Sequence, residues 1–323
     1  MMAKRKLIFD TDGGVDDAQA LLMLIANGRA PDVITTVFGN VGLEQATENQ
    51  LCVTTVAGAD IAVHAGADRP MVQPIIDARA VHGNDGLGGA PRPAHTKAVA
   101  SHDAIGLLRK TFRDAAKAGE RVDIIMIGPL TNLALALQLE AGIIEGIGTL
   151  TVMGGTVYGR GNTTPAAEFN IYADPEAAQV VLTAGIETII APWEACTTHS
   201  ISGADLDAMN GKLAPSPVRD FMAALSDQQR ARHRTWGHGD LIRYVDPLAA
   251  ALVIDPTIVR KSISASTSVA LGPGITRGMT LVDPSGRLKT PKVTFVEEAD
   301  QAALDRLYQA TIAYVPHKAY ETT

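Results

Sequence analysis

The sequence predicts an α/β protein with a mostly parallel central sheet and helices on both faces. Three observations carry this. Short apolar runs alternate with helix-length amphipathic segments over the first two-thirds of the chain. The run at 122–127 (VDIIMI) is largely apolar, as in a strand covered on both sides. Glycine, asparagine and aspartate cluster just after several of the runs.

In order, 7–9 reads as a strand. Residues 16–27 read as a helix, with acidic residues in its first turn and Gly28 at its end. A β-branched strand at 33–38, a helix at 43–58 and a strand at 61–65 follow. After 122–127 come a helix at 130–139, a strand near 150–153, a helix from Pro175 and a strand at 188–191. Residues 202–245 are more polar and read as helices with loops, a lid-like insertion. A helix at 247–254, strands near 262–269 and 292–296, and a helix at about 300–314 complete the pattern. With no internal repeat and no convincing linker, 1–323 reads as one domain.

Composition narrows the function. A chain of 323 residues, 46% hydrophobic and 20% charged, buries a sizeable core and is not disordered. A net charge of −7 repels phosphate backbones, which argues against a nucleic acid polymer as partner. Cys52 and Cys196 are too few for a disulfide framework or a structural zinc site and suit a reducing compartment. The basic start MMAKRK precedes only three apolar residues before Asp10, too few for a signal peptide. No apolar stretch approaches the ~20 residues needed to span a bilayer. A cytoplasmic enzyme with no membrane partner is the expectation.

In open parallel sheets, ligands bind beyond the carboxyl ends of the strands. The chemistry-bearing residues fall at such ends: Asp10, Asp12, Asp16 and Asp17 after the first strand, Asn40 after the second, and Gly128–Asn132 after the VDIIMI run. Met153 lies at the end of a later strand, followed by Asn162, Glu168 and Asn170. Four aspartates within eight residues are the sharpest signal. Packed together they raise one another's pKa unless a cation intervenes. Oxygen ligands without nearby histidine or cysteine favour calcium or magnesium over zinc. An Asp-Asp pair also suits the positive end of a helix dipole, but that leaves Asp10 and Asp12 unexplained.

DTDGGVDDAQAL at 10–21 resembles the DTDPGxDDAxAL signature of the inosine–uridine-preferring nucleoside hydrolases. The likeness continues through Phe38-Gly39-Asn40, His82-Gly83, GPLTN at 128–132, Met153-Gly154-Gly155, AEFN at 167–170, ADPEAA at 173–178 and DPLA at 246–249. It covers about 6–255 and implies a nucleoside hydrolase-like fold.

By that resemblance Asp12, Asp17, Asp246 and the backbone carbonyl of Ile127 are ligands of Ca2+, with Asp10 supporting the cluster. Asp12 is also the base that activates a water held at the ion. Asp16, Asn40, Met153, Asn162, Glu168 and Asn170 fall at ribose-contacting positions, and His82 at a position used in base recognition. The residue types agree: vicinal hydroxyls need donors and acceptors, and asparagine supplies both. Water attack through an oxocarbenium-like transition state, stabilised by the anionic pocket, would release base and ribose. The resemblance also implies a homodimer or homotetramer.

Two positions depart from the pattern. Gly13 stands where proline is usual, which loosens the turn without removing a ligand. Val245 stands where many members carry the histidine that protonates the leaving base; loss of a general acid typically costs ~10²–10⁴-fold. His238 is the candidate replacement acid, and His233 and Trp236 are candidate base contacts. Asp240 and Arg243 are left open, and Trp193 reads as packing. The valine also admits a second reading, a ribose- or nucleoside-binding protein with little turnover. A phosphatase of the haloacid dehalogenase type, with Asp10 as nucleophile, explains neither Asp16-Asp17 nor the AEFN segment.

Overall fold

The computed structural model describes residues 5–316; Met1–Lys4 of the basic start lie outside the described residues. The chain opens with β1 (Leu7–Thr11), α1 (Val15–Ala26), β2 (Val33–Thr36), α2 (Leu43–Val56) and β3 (Ala62–Ala65). The short α3 (Arg79–His82) and the long α4 (Ala104–Ala118) precede β4 (Val122–Met126), α5 (Thr131–Leu139) and β5 (Ile147–Met153). Then follow α6 (Phe169–Ala173), α7 (Pro175–Leu182), β6 (Thr188–Ala191), α8 (Trp193–Thr198), β7 (Ser200–Ser202), α9 (Gly203–Gly211) and α10 (Pro217–Thr235). The chain closes with β8 (Leu241–Arg243), α11 (Asp246–Ile254), β9 (Val259–Val269), β10 (Thr280–Asp283), β11 (Lys292–Ala299) and α12 (Gln301–Ile312).

Among the described residues the main sheet has nine strands, in the order β10-β9-β11-β6-β5-β4-β1-β2-β3. From β11 to β3 every pair is parallel, whereas β9 pairs antiparallel with β11 and β10 with β9. The expected α/β class is therefore observed. From β1 the chain winds outward to β2 and β3, then returns to β4 on the other side. This reversal opens a crevice at the carboxyl ends of β1 and β4.

Alternate residues of the central strands feed two apolar layers, as the two-residue strand period requires. Phe9, Ile125 and Ile127 join one layer, with α1, α10, α11 and α12; Ile8, Ile124 and Met126 join the other, with α4, α5 and α7. Helix α1 is buried from Val15 to Ile25, which explains its nearly unbroken apolar run.

The elements expected from the sequence are present with shifted ends: β1 runs on to Thr11, and the 33–38 strand stops at Thr36. Several elements were not anticipated, α4 and β10 among them. Helix α4 follows a polar loop, with Asp103 capping Gly106 N–H and Gly119 closing it in the left-handed region. The four-residue β10 is too short and polar to stand out. Among the described residues no helix is long and apolar enough to cross a membrane.

Within 202–245, α10 rests on the core. Val218, Phe221, Met222 and Leu225 are buried, and Ser226 Oγ meets Tyr308 Oη of α12 at 2.9 Å. Gln19 Nε2 of α1 donates to Tyr308 Oη at 3.2 Å, and Gln229 Nε2 of α10 donates to Gln19 Oε1 at 3.2 Å. Tyr308→Phe removes the shared hydroxyl at a fully buried site. It is expected to cost about 1–2 kcal/mol, read as a lower urea midpoint; an unchanged midpoint would show that this network does not hold α10 in place.

Candidate active site

The site begins in the loop between β1 and α1. Asp17, in the first turn of α1, folds back over it: Oδ1 accepts from the Thr11 hydroxyl and from the N–H groups of Asp12 (3.2 Å) and Gly13 (3.3 Å), and Oδ2 from Gly14 N–H at 2.8 Å. Gly13 has φ +74°, and a Cβ there would lie 2.6 Å from Ala46 Cα. The turn is thus not a loosened version of a proline turn, as expected from the sequence. Proline holds φ near about −65°, so this loop takes a path proline cannot follow, and its hydrogen bonds fix it.

Asn40, beyond β2, ties two carboxylates together. Its N–H donates to Asp12 Oδ2 at 2.8 Å, and its Nδ2 donates to Asp12 Oδ1 at 2.9 Å and Asp17 Oδ2 at 3.0 Å. Gly39 makes this approach feasible, because a Cβ there would fall 2.0 Å from Asp12 Oδ2. Asp246, the first residue of α11, arrives from the far end of the chain. Oxygens of Asp16, Asp17 and Asp246 lie within 4.8 Å of one another. Asp12 adjoins this trio, and its carboxyl feels the charge of both Asp17 and Asp16.

Burial is the largest cause raising the carboxyl pKa of Asp12, Asp16, Asp17 and Asp246, and neighbouring aspartates push those of Asp12, Asp17 and Asp246 further up. Asp10 is different. Its Oδ2 accepts from Thr35 Oγ1 (2.6 Å) and Asn132 Nδ2 (2.8 Å), and burial moves its pKa up to about 7. It pins β1 to β2 and α5 instead of joining the trio.

The residues fit a hard dication. The converging donors are carboxylate oxygens, and Asp16 Oδ1 is buried with no hydrogen-bond partner. A bound cation would remove the repulsion that now keeps these carboxyls hard to ionise. The Ile127 carbonyl accepts from Asn170 Nδ2 at 3.0 Å and keeps a second lone pair.

Above the carboxylates opens a cavity of about 700 Å³. Asp16, Asn40, Ile127, Met153, Asn162, Glu168, Asn170 and Asp246 line it, as do His82, His233, Trp236 and His238. Of the residues given a metal, sugar, base or acid role from the sequence, Asp10, Asp12 and Asp17 are not in its lining; all three are fully buried. Glu168 caps α6, accepting from Gly155 N–H and Asn170 N–H at 2.9 Å each; burial nevertheless takes its pKa up to about 7. Asn170 Nδ2 also reaches the Met153 carbonyl at 3.1 Å.

His82 is neutral: burial, then the charge of Arg232, brings its pKa down to about 3. Its Nδ1 accepts from Val15 N–H at 3.1 Å, so its proton sits on Nε2. His233 is lowered to about 4, by burial and then by Arg243 and Arg232, and its Nδ1 is buried without a partner. His238 is exposed, its ring 5.6 Å from that of His233 and 6.2 Å from that of Trp236. Trp236 itself is 49% exposed.

Val245 lines the cavity. Trp193 both lines it and packs against the core, so the packing role expected for it is only half of what it does. Asp240 lies outside, paired with Arg230 and Arg234. Arg232 was not anticipated, and Arg243, left open by the sequence, also lines the cavity. In the sequence Arg232 sits within a basic run whose other arginines, 230 and 234, bind surface aspartates; nothing in that run marks it as the one turned inward.

Comparison with known proteins agrees with this geometry. Residues 7–306 match the model of the family described as inosine-uridine preferring nucleoside hydrolase, which carries the likeness past the 6–255 span legible from motifs. The non-specific ribonucleoside hydrolase RihC of Klebsiella pneumoniae is 33% identical over 312 residues, 96% of this chain and 99% of that protein. The pyrimidine-specific ribonucleoside hydrolase RihA of Salmonella agona is 34% identical over 281 residues, 86% and 88% of the two chains. The solved structure of a plant nucleoside hydrolase, PpNRh1, superposes with a TM-score of 0.87 at 28% identity, covering 96% of this chain and 99% of that one. An inosine-guanosine nucleoside hydrolase superposes equally well, TM-score 0.87 at 27% identity, covering 97% of this chain and 100% of that one. With a buried carboxylate cluster at the sheet's switch point and a family match over nearly its whole length, the chain belongs to the inosine–uridine preferring nucleoside hydrolase family.

Proposed function

We propose that this enzyme hydrolyses the N-glycosidic bond of ribonucleosides with calcium held by Asp12, Asp17, Asp246 and the Ile127 carbonyl. The observation that carries the reading is the convergence of Asp16, Asp17 and Asp246, distant in sequence, beneath a cavity lined by Asn40, Asn162, Glu168 and Asn170. When bound, calcium supplies the positive charge that lets the carboxylates ionise together and makes a nearby water more acidic.

The protein's own groups do the rest. Asp12, oriented at both oxygens by Asn40, takes the proton of the attacking water. Asp16, Asn40, Asn162, Glu168 and Asn170 hold the ribose hydroxyls, with Met153 against the sugar. The carboxylate floor stabilises positive charge developing on the ribosyl ring. Asp10 holds the strand ends in register. His82, His233 and Trp236 form the base side, with His238 as the acid.

Residues 1–323 act as one domain, with 202–245 as the wall over the base side; the setting is cytoplasmic and the assembly a homodimer or homotetramer. Val245 favours one alternative, a nucleoside-binding protein with little turnover. Tight nucleoside binding without ribose release over a long incubation would decide for it.

Chelation is expected to abolish ribose release from a nucleoside panel and to lower the melting temperature, with calcium restoring both. Full activity after stripping would reject the metal role. The raised carboxyl pKa values set the sign of the pH dependence. Without the ion the cluster retains protons that it must give up on binding, so calcium affinity rises with pH. Calorimetry in buffers of different ionisation enthalpy should detect the released protons; heats independent of buffer would contradict this.

Asp12→Asn is expected to lower kcat by about 10²–10⁴-fold. An unchanged kcat would remove Asp12 as the base.

A further inference from the structure

The cavity is electrostatically two-sided. Its floor is anionic, yet its other wall carries Arg243 from β8 and Arg232 from α10. Arg243 is half-buried, and among the described residues its side chain makes neither a hydrogen bond nor an ion pair. Arg232 donates from Nη1 to the Val81 carbonyl and lies 5.3 Å from the Trp236 ring centroid, while its Nε is buried without a partner. Neighbouring arginines behave otherwise: Arg230 binds Asp207 and Asp240, and Arg234 binds Asp240. Glu194, another carboxylate of the lining, is engaged by the N–H groups of Val157 and Tyr158.

A desolvated guanidinium without a counter-charge is costly and cannot escape by losing its proton. Arg232 feels the Asp16 carboxyl, but Arg243 has no such counter-charge and calls for an anion arriving with the ligand. Arg243 stands two residues from Val245, the aliphatic side chain at the position expected to face the leaving base. We infer that Arg243, assisted by Arg232, makes the base subsite selective for ribonucleosides with acidic bases, ones that leave as anions instead of being protonated during cleavage.

This rests on the hydrolase reading above, names its substrate class, and puts charge stabilisation by Arg243 in place of proton donation by His238 in that reading. The C1′–N bond breaks with both electrons going to the base nitrogen. A water oxygen bonds to C1′ and its proton passes to Asp12. The base departs as an anion beside the guanidinium groups and takes a proton from solvent after release. Loss of one preorganised donor to developing negative charge typically costs on the order of 10²–10³-fold.

The test compares nucleosides matched in shape but not in base acidity: xanthosine against inosine, and 5-fluorouridine against uridine, with calcium present. In the wild-type protein the more acidic base of each pair is expected to give the higher kcat/KM. Arg243→Gln is expected to shrink both ratios by about tenfold or more, and Arg243→Lys to recover part of them. Equilibrium binding of free xanthine should weaken in Arg243→Gln more than that of hypoxanthine. If wild-type protein cleaves both members of each pair equally, or if Arg243→Gln leaves the ratios unmoved, the inference is overturned while the hydrolase reading stands. If no nucleoside in the panel releases ribose, both fall. Equal cleavage by the wild-type protein overturns the inference without any variant, and Arg243→Lys serves where Arg243→Gln fails to fold.

Discussion

The structure turns on the cost of gathering aspartates where water cannot reach them. Asp12, Asp16, Asp17 and Asp246 come together with a cationic side chain, Arg232, near only one of them, Asp16. Each would resist ionisation alone, and together they resist it more. The surrounding residues hold that arrangement in place. Thr11 and the loop amides fix Asp17, Asn40 bridges Asp12 and Asp17, and Gly39 leaves room for that bridge. The sheet order explains why the gathering occurs here: β1 and β4 are adjacent yet were reached from opposite sides, so their ends diverge and leave a crevice.

The cavity above inherits this polarity. The residues above the carboxylates are acceptors and amides fixed to backbone, with Glu168 held by amides of the loop after β5 and of its own helix. Its other side is built from α10 and β8, which bring histidines, a half-exposed tryptophan and arginines. An aliphatic side chain at 245 and cationic side chains at 232 and 243 suggest departure of the base by charge stabilisation in place of proton transfer. On the proposed mechanism the two halves would divide the work between developing positive charge on the ribosyl ring and developing negative charge on the base.

Much of this was legible in the sequence because it is carried by strand ends. The fold class followed from the alternation of apolar runs. The carboxylates, Asn40, Glu168 and Asn170 stood in short segments with recognisable order. Partners contributed across long sequence separations were less visible. Nothing in the sequence shows that Asn132 reaches back to Asp10, or that the glycine at 13 makes a turn closed to proline. Arg232 was hidden by company: between Arg230 and Arg234 it looks like one more solvated charge, and only packing on α1 and α12 decides which arginine turns inward. Helix α4 and β10 were missed for lack of contrast with the polar segments beside them.

The contact between Gly13 and Ala46 has a consequence for how this sequence can drift. The loop lies so close to α2 that the helix tolerates little bulk at 46, and the backbone at 13 occupies a region closed to proline. The two sites therefore cannot change independently. Proline at 13 would require the loop to swing to a new path away from α2. Such a swing would also break the bonds that Asp17 makes to the Gly13 and Gly14 N–H groups, so the geometry of the carboxylate cluster is tied to the one residue type at 13.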